Sequence, residues 1–190
     1  MRIIIRDITA KDPVEILQQA ALLLTEGFRD MAPDAWPDMS SAQRELEECL
    51  AEERICRGAF LEGGSLLGWV GGIPQYDGNV WELHPIVVRE KARGRGIGSL
   101  LVQDLEEQAA RRGGLTVYLG TDDHLNMTSL SRVDLFSNTW EHIRNIKNYR
   151  RHPYEFYQNQ GYTIVGVLPD ANGPGQPDIF MAKRIGPSSP

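Results

Sequence analysis

Cysteine is scarce: Cys49 and Cys56 are the only two in 190 residues. Neither belongs to a CxxC pair or a Cys/His ladder, so the pattern argues against structural zinc. His124, His142 and His152 are scattered without ligand spacing, and no metal is expected. A disulfide is not needed at this length, and both thiols are expected to be reduced. Long apolar runs are missing too. Nothing approaches the ~20 residues that cross a bilayer, and Met1-Arg2-Ile3-Ile4-Ile5-Arg6-Asp7 is too short and too charged for a secretory leader. A cytoplasmic protein with no membrane partner is the expectation. Positive charge is also short, with 20 basic residues against 26 acidic and a net charge of −6. A nucleic-acid binder would carry a basic stripe to neutralise phosphates, so that class is set aside and a cationic or neutral partner is favoured.

What is present reads as one α/β domain over residues 1–185, followed by a disordered tail at 186–190. Strands are expected at Ile3–Ile8, Ile55–Leu61, Ser65–Tyr76, Val80–Val88, Leu115–Thr121, Tyr162–Leu168 and Asp178–Arg184. Helical spacing marks Val14–Phe28 and Ile97–Arg112, the latter with Ile97, Leu100, Leu101, Leu105 and Ala109 as its apolar stripe. A helix from Ser40 or Ser41 to about Glu53 would use Glu45 as a capping-box partner. Shorter helices are expected at Thr139–Asn148 and Tyr154–Gln160. The β-α-β step across Val80–Thr121 implies one parallel pair in an otherwise antiparallel set.

The most specific motif is Arg93-Gly94-Arg95-Gly96-Ile97-Gly98, set between a strand and an amphipathic helix. Glycines let a backbone approach an anion and adopt positive φ. The helix that follows directs its free N–H groups and positive dipole end at the same loop. Two arginines add charge suited to phosphate. Neither the P-loop spacing nor the dinucleotide fingerprint is present, so the cradle must serve another diphosphate.

This motif resembles the R/Q-x-x-G-x-G/A signature of the GNAT acetyltransferase superfamily. Gly68–Tyr76, Trp81–Pro85, Tyr118–Asp123, His152–Tyr157 and Pro177–Lys183 are similar to the aminoglycoside 6'-N-acetyltransferases, in particular the chromosomally encoded dimeric type. The resemblance implies a mixed α/β (α+β) fold: a central mixed, mostly antiparallel sheet of six to seven strands flanked by helices. It also implies acetyl-CoA as co-substrate, bound by Ile86, Val87, Val88, Arg93, Gly94, Arg95, Gly96, Ile97, Gly98 and Ser99, and a homodimer.

On the strand Val80–Val88, alternation puts Glu82 and His84 on one face and Trp81 and Leu83 on the other. Pro85 cannot donate to a ladder and should mark a bulge, making the N–H groups of Ile86 and Val88 available to a thioester carbonyl. Glu82 is the candidate base or, equally, a substrate anchor. His84 is a proton relay or a histidine that shapes the cleft. Tyr157, in the family's Y-x-x-x-G-F/Y segment, is the implied acid for the departing thiolate, or else a core aromatic. Arg150 holds a register where the family often has asparagine, with Asn148 close by. A polycationic substrate would need carboxylates and aromatic faces, for which Glu82, Asp122, Asp123, Tyr76 and Trp36 are candidates, the Asp pair equally suiting a cap or turn. Three functions remain open: acetylation of the 6'-amine of an aminoglycoside with antibiotic resistance as its effect, acetylation of a peptide, protein or small polyamine, and non-catalytic sensing of acyl-CoA.

Overall fold

A computed structural model describes residues 2–187. Seven strands and five α-helices give a mixed α/β architecture that divides into two compact units. The first runs to Val117 and takes back the chain from Ile185, and the second is Tyr118–Arg184.

In the first unit β1 (Ile3–Asp7), β2 (Ile55–Leu61), β3 (Leu66–Gln75) and β4 (Val80–Val88) lie side by side in that order. Each pairs antiparallel with the next. Three helices join them: α1 (Val14–Phe28), α2 (Met39–Cys49) and α3 (Ile97–Arg111). Two adjacent glycines of β3 reveal how the helices are distributed. A Cβ on Gly71 would meet Cys49 of α2, whereas one on Gly72 would meet Leu105 of α3. Neighbouring strand residues point to opposite faces, so α2 and α3 cover opposite sides. On the α1–α2 side Ala20, Ala21, Leu23, Leu24, Leu46, Cys49, Phe60, Trp69 and Val87 form one buried cluster. Trp69 is fully buried and satisfies its indole by donating to the Ala20 carbonyl at 3.0 Å.

α2 corrects two expectations. Asp38 is its N-cap, and the capping box closes with Ser41 rather than Glu45. The helix stops at Cys49, its last buried position, because the chain must turn before entering β2. In α3, Leu100 is exposed and Val102 takes its place in the buried stripe. Gly113, at φ 86°, follows the helix end as the glycine signal predicted.

The second unit holds β5 (Thr116–Asp122) from Tyr118 on, α4 (Thr139–Arg144), α5 (Tyr154–Asn159), β6 (Thr163–Leu168) and β7 (Asp178–Arg184). β7 lies between β5 and β6 and is antiparallel to β6. α4 ends four residues before the expected Asn148, which instead bridges to Thr128. Of the tail expected from residue 186, Gly186 donates its N–H to Leu115, and residues 188–190 lie outside the described residues. Among the described residues no helix is long and apolar enough to cross a membrane.

Candidate functional site

β4 carries the first part of the site, and Pro85 determines its geometry. The Arg89 N–H donates to Leu67, so the alternation of an antiparallel ladder puts Trp69 and Val87 at the next bonded position. One step further the ladder needs an N–H from residue 85, which proline lacks. The pairing breaks there. Val70 faces Ile86, but Gly72 faces Leu83, leaving His84 and Pro85 opposite the single residue Gly71. The bulge is real, as the sequence predicted, and the His84–Pro85 peptide is cis. A side chain at position 71 would run into the His84 carbonyl oxygen, so glycine is required for the close approach.

The extra residue changes which side the strand's residues face. Directly opposed residues share a side, so Trp69 with Val87, and Ile73 with Glu82, all point toward α1 and α2. Polar Glu82 and His84 therefore stand on the same side as the apolar core residue Val87. The ladder alternation also turns the N–H groups of Ile86 and Val88 away from β3.

Three further side chains gather around Glu82 and His84. Gln75 donates its amide to Glu82 at 3.3 Å. Glu45, from the middle of α2, lies 3.7 Å from His84 Nε2 through one oxygen and accepts from the Trp36 indole at 3.4 Å through the other. Trp36 stacks edge-on against Phe28 at 4.6 Å and tilts over the His84 ring at 5.8 Å. Burial works against charge on His84, but the Glu45 carboxylate beside it and the charge of Glu82 outweigh it, and the imidazole pKa is raised. His84 in turn holds the Glu45 carboxyl below its usual range, against the opposing effect of burial. Burial, then the Glu45 charge, pushes the Cys49 thiol up to about 12, so it remains neutral. Glu45 and Gln75 were missed in the sequence. The available signal for Glu45 was its place on the turn of α2 between buried Ala42, Leu46 and Cys49.

The glycine loop forms the second part. Gly94 and Gly96 have φ of 72° and 79°, with open space where a Cβ would stand, so the backbone conformation is what requires glycine. Gly96 caps α3 without any side-chain bond, and no acidic residue occupies the first turn. The first intrahelical bond is made by Leu100, leaving the N–H groups of Ile97, Gly98 and Ser99 ahead of it. That is an anion-attracting helix start. Ile97 is buried, so it anchors the turn by packing. Arg93 differs from expectation. Its guanidinium donates to the carbonyls of Val88 and Gly27, pinning the loop, while Arg95 stays exposed.

Tyr76 is 77% exposed, on the turn between β3 and β4. The remaining predicted residues belong to the second unit. Asp122 is exposed and accepts from Asn172 at 2.7 Å. Asp123 is corrected from substrate contact to loop organiser. It is fully buried, and its carboxylate accepts from Met127 N–H, Thr128 N–H, the Thr128 hydroxyl and the Ser131 hydroxyl. Asn148 is engaged in two bonds with the His152 backbone. Tyr157 is buried against Phe156 and Tyr162, and burial pushes its phenol pKa upward. Among the described residues no group of three or more His, Cys, Asp or Glu side chains could hold a metal ion.

The profile of the Acetyltransferase (GNAT) family matches residues 21–132. No curated protein sequence matches the chain. Among solved structures, an aminoglycoside 6'-N-acetyltransferase complexed with coenzyme A is 44% identical, with TM-score 0.89, over 98% of this chain and 99% of that one. The aminoglycoside 6'-N-acetyltransferase from Enterococcus faecium is 43% identical, with TM-score 0.87 and the same coverage of 98% and 99%. An aminoglycoside 6'-acetyltransferase type Ii is 40% identical, with TM-score 0.75, again over 98% and 99%.

Proposed function

Because the chain belongs to the GNAT acetyltransferase family, we propose that it transfers acetyl from acetyl-CoA to the 6'-amine of an aminoglycoside. The observation that carries this is the near end-to-end match, at 44% identity, to an enzyme of that activity complexed with coenzyme A. The same reading makes the protein a cytoplasmic, homodimeric resistance enzyme.

The uncapped start of α3, with Gly94, Gly96 and Arg95, suits the diphosphate of coenzyme A. Arg93 shapes that loop through its two carbonyl bonds. The N–H groups of Ile86 and Val88, directed away from β3, suit the amide and thioester carbonyls of the acyl arm. In the reaction an amine nitrogen forms a bond to the acetyl carbon while the carbon–sulfur bond breaks. Glu82 takes the proton the ammonium must lose, directly or through one water. Tyr157, kept protonated by burial, returns a proton to the thiolate. Trp36, Tyr76 and Asp122 supply aromatic faces and negative charge for a polycation.

Release of coenzyme A thiol is to be measured with aminoglycosides bearing either an amine or a hydroxyl at the 6' position, with polyamines and with basic peptides. Release restricted to the 6'-amino compounds is expected. Release with peptides alone, or none despite acetyl-CoA binding, overturns the reading. Glu82→Gln should lower turnover roughly 100-fold while leaving the KM for acetyl-CoA nearly unchanged.

A further inference from the structure

Glu45 has three contacts, and their chemistry is uneven. The Trp36 indole N–H at 3.4 Å is a neutral donor. The Cys49 thiol at 3.7 Å is neutral as well, since its proton is held tightly. The third, His84 Nε2 at 3.7 Å, is the contact that can answer a negative charge with a positive one. At that distance the pair is an ion contact rather than a hydrogen bond. The carboxylate is 18% exposed, so water is a minor partner. A half-buried carboxylate with two weak neutral donors needs a cation beside it.

The charged groups facing His84 come from three places. Glu45 reaches it from α2, Glu82 from its own strand, and Arg54 acts from the turn after α2 in the opposing sense. Trp36 covers the ring, and the bulge at Pro85 fixes the backbone that carries it.

We propose that Glu45 is a positioning residue for His84, holding the Nε2 edge of the ring so that His84 serves as an oriented N–H donor and fixed cation, and leaving proton removal to Glu82. Glu45 thus acts through another side chain and touches no reacting atom. The catalytic consequence rests on the acetyl-transfer reading above, whereas the primary readout does not.

The test follows the imidazole nitrogen resonances of the full-length, 15N-labelled protein against pH, with His84→Asn assigning the signal. Glu45→Gln keeps an acceptor for Trp36 and removes only the charge. The His84 titration midpoint is expected to move to lower pH in Glu45→Gln and by less in Glu45→Asp, which keeps the charge on a shorter arm. If Glu45→Gln fails to fold, the Glu45→Asp shift alone decides. In turnover assays the alkaline limb of the kcat/KM profile for the amine should move the same way, with kcat/KM falling on the order of tenfold, the usual cost of removing an orienting partner, and an unchanged KM for acetyl-CoA. A His84 midpoint that stays put when the carboxylate is removed overturns the proposal. So does a raised KM for the amine with the midpoint unmoved, which would make Glu45 a direct substrate contact. Loss of all acetyl transfer in the unaltered protein, with the midpoint shift intact, would sink the reaction assignment and leave the positioning role standing.

Discussion

Two buried or half-buried carboxylates show how differently the same group can be used. Asp123 is sealed from solvent and saturated by four donors, two of them backbone N–H groups and two hydroxyls, all neutral. Glu45 has a fraction of its surface in water, two long neutral contacts and one titratable neighbour. A saturated acid organises a loop and has nothing left to offer a ligand. An undersatisfied acid beside an imidazole controls the proton balance of its partner. Counting donors, rather than noting burial, separates the structural acid from the functional one.

The contrast is open to attack at three points. Asp123→Ala should cost about 3–4 kcal/mol, read from the urea midpoint, because four donors lose a buried acceptor together. A KM for the amine that changed in the folded variant would return Asp123 to the substrate contacts. Thr128→Val removes one donor to Asp123 and the acceptor of the Leu130 N–H, and should cost about 1–2 kcal/mol. Glu45→Gln should cost only ~0.5 kcal/mol, since His84 is 44% exposed and solvent screens the pair. Its signature is the pH dependence. The raised pKa of His84 contributes stability below its unfolded value of 6.5, lost as pH rises through the folded value. The lowered pKa of Glu45 contributes above its unfolded value of 4.5, lost as pH falls through the folded value. The gap between wild type and variant should be widest between those two pH values and should close in alkali. A gap independent of pH would reduce Glu45 to a packing residue.

Periodicity made α1, β2, β4 and β7 readable to the residue, because each buries one clean face between unambiguous turns. The glycine loop was readable for a similar reason: positive φ leaves a residue-type signature at Gly94 and Gly96. Pro85 announced the bulge by its missing donor. Arg93 could not be read, because whether a guanidinium meets a ligand or a backbone carbonyl depends on Gly27, far away in sequence. Glu45 was hidden by a local rule, the capping box, that fitted its spacing but was satisfied by Asp38 and Ser41. Asp123 depended on three residues of a loop without periodicity.

The unpaired step at His84–Pro85 means that β4 has to be read in two frames. Before it, even-numbered residues face α1 and α2; after it, odd-numbered ones do. One continuous strand thereby joins an acidic half to an oily half on a single surface, with no loop spent on the changeover. Removing one residue here would send Glu82 to the opposite surface while Val87 kept its place. The strand can therefore absorb exchanges of side chain between residues 82 and 87 far more readily than any change in their number.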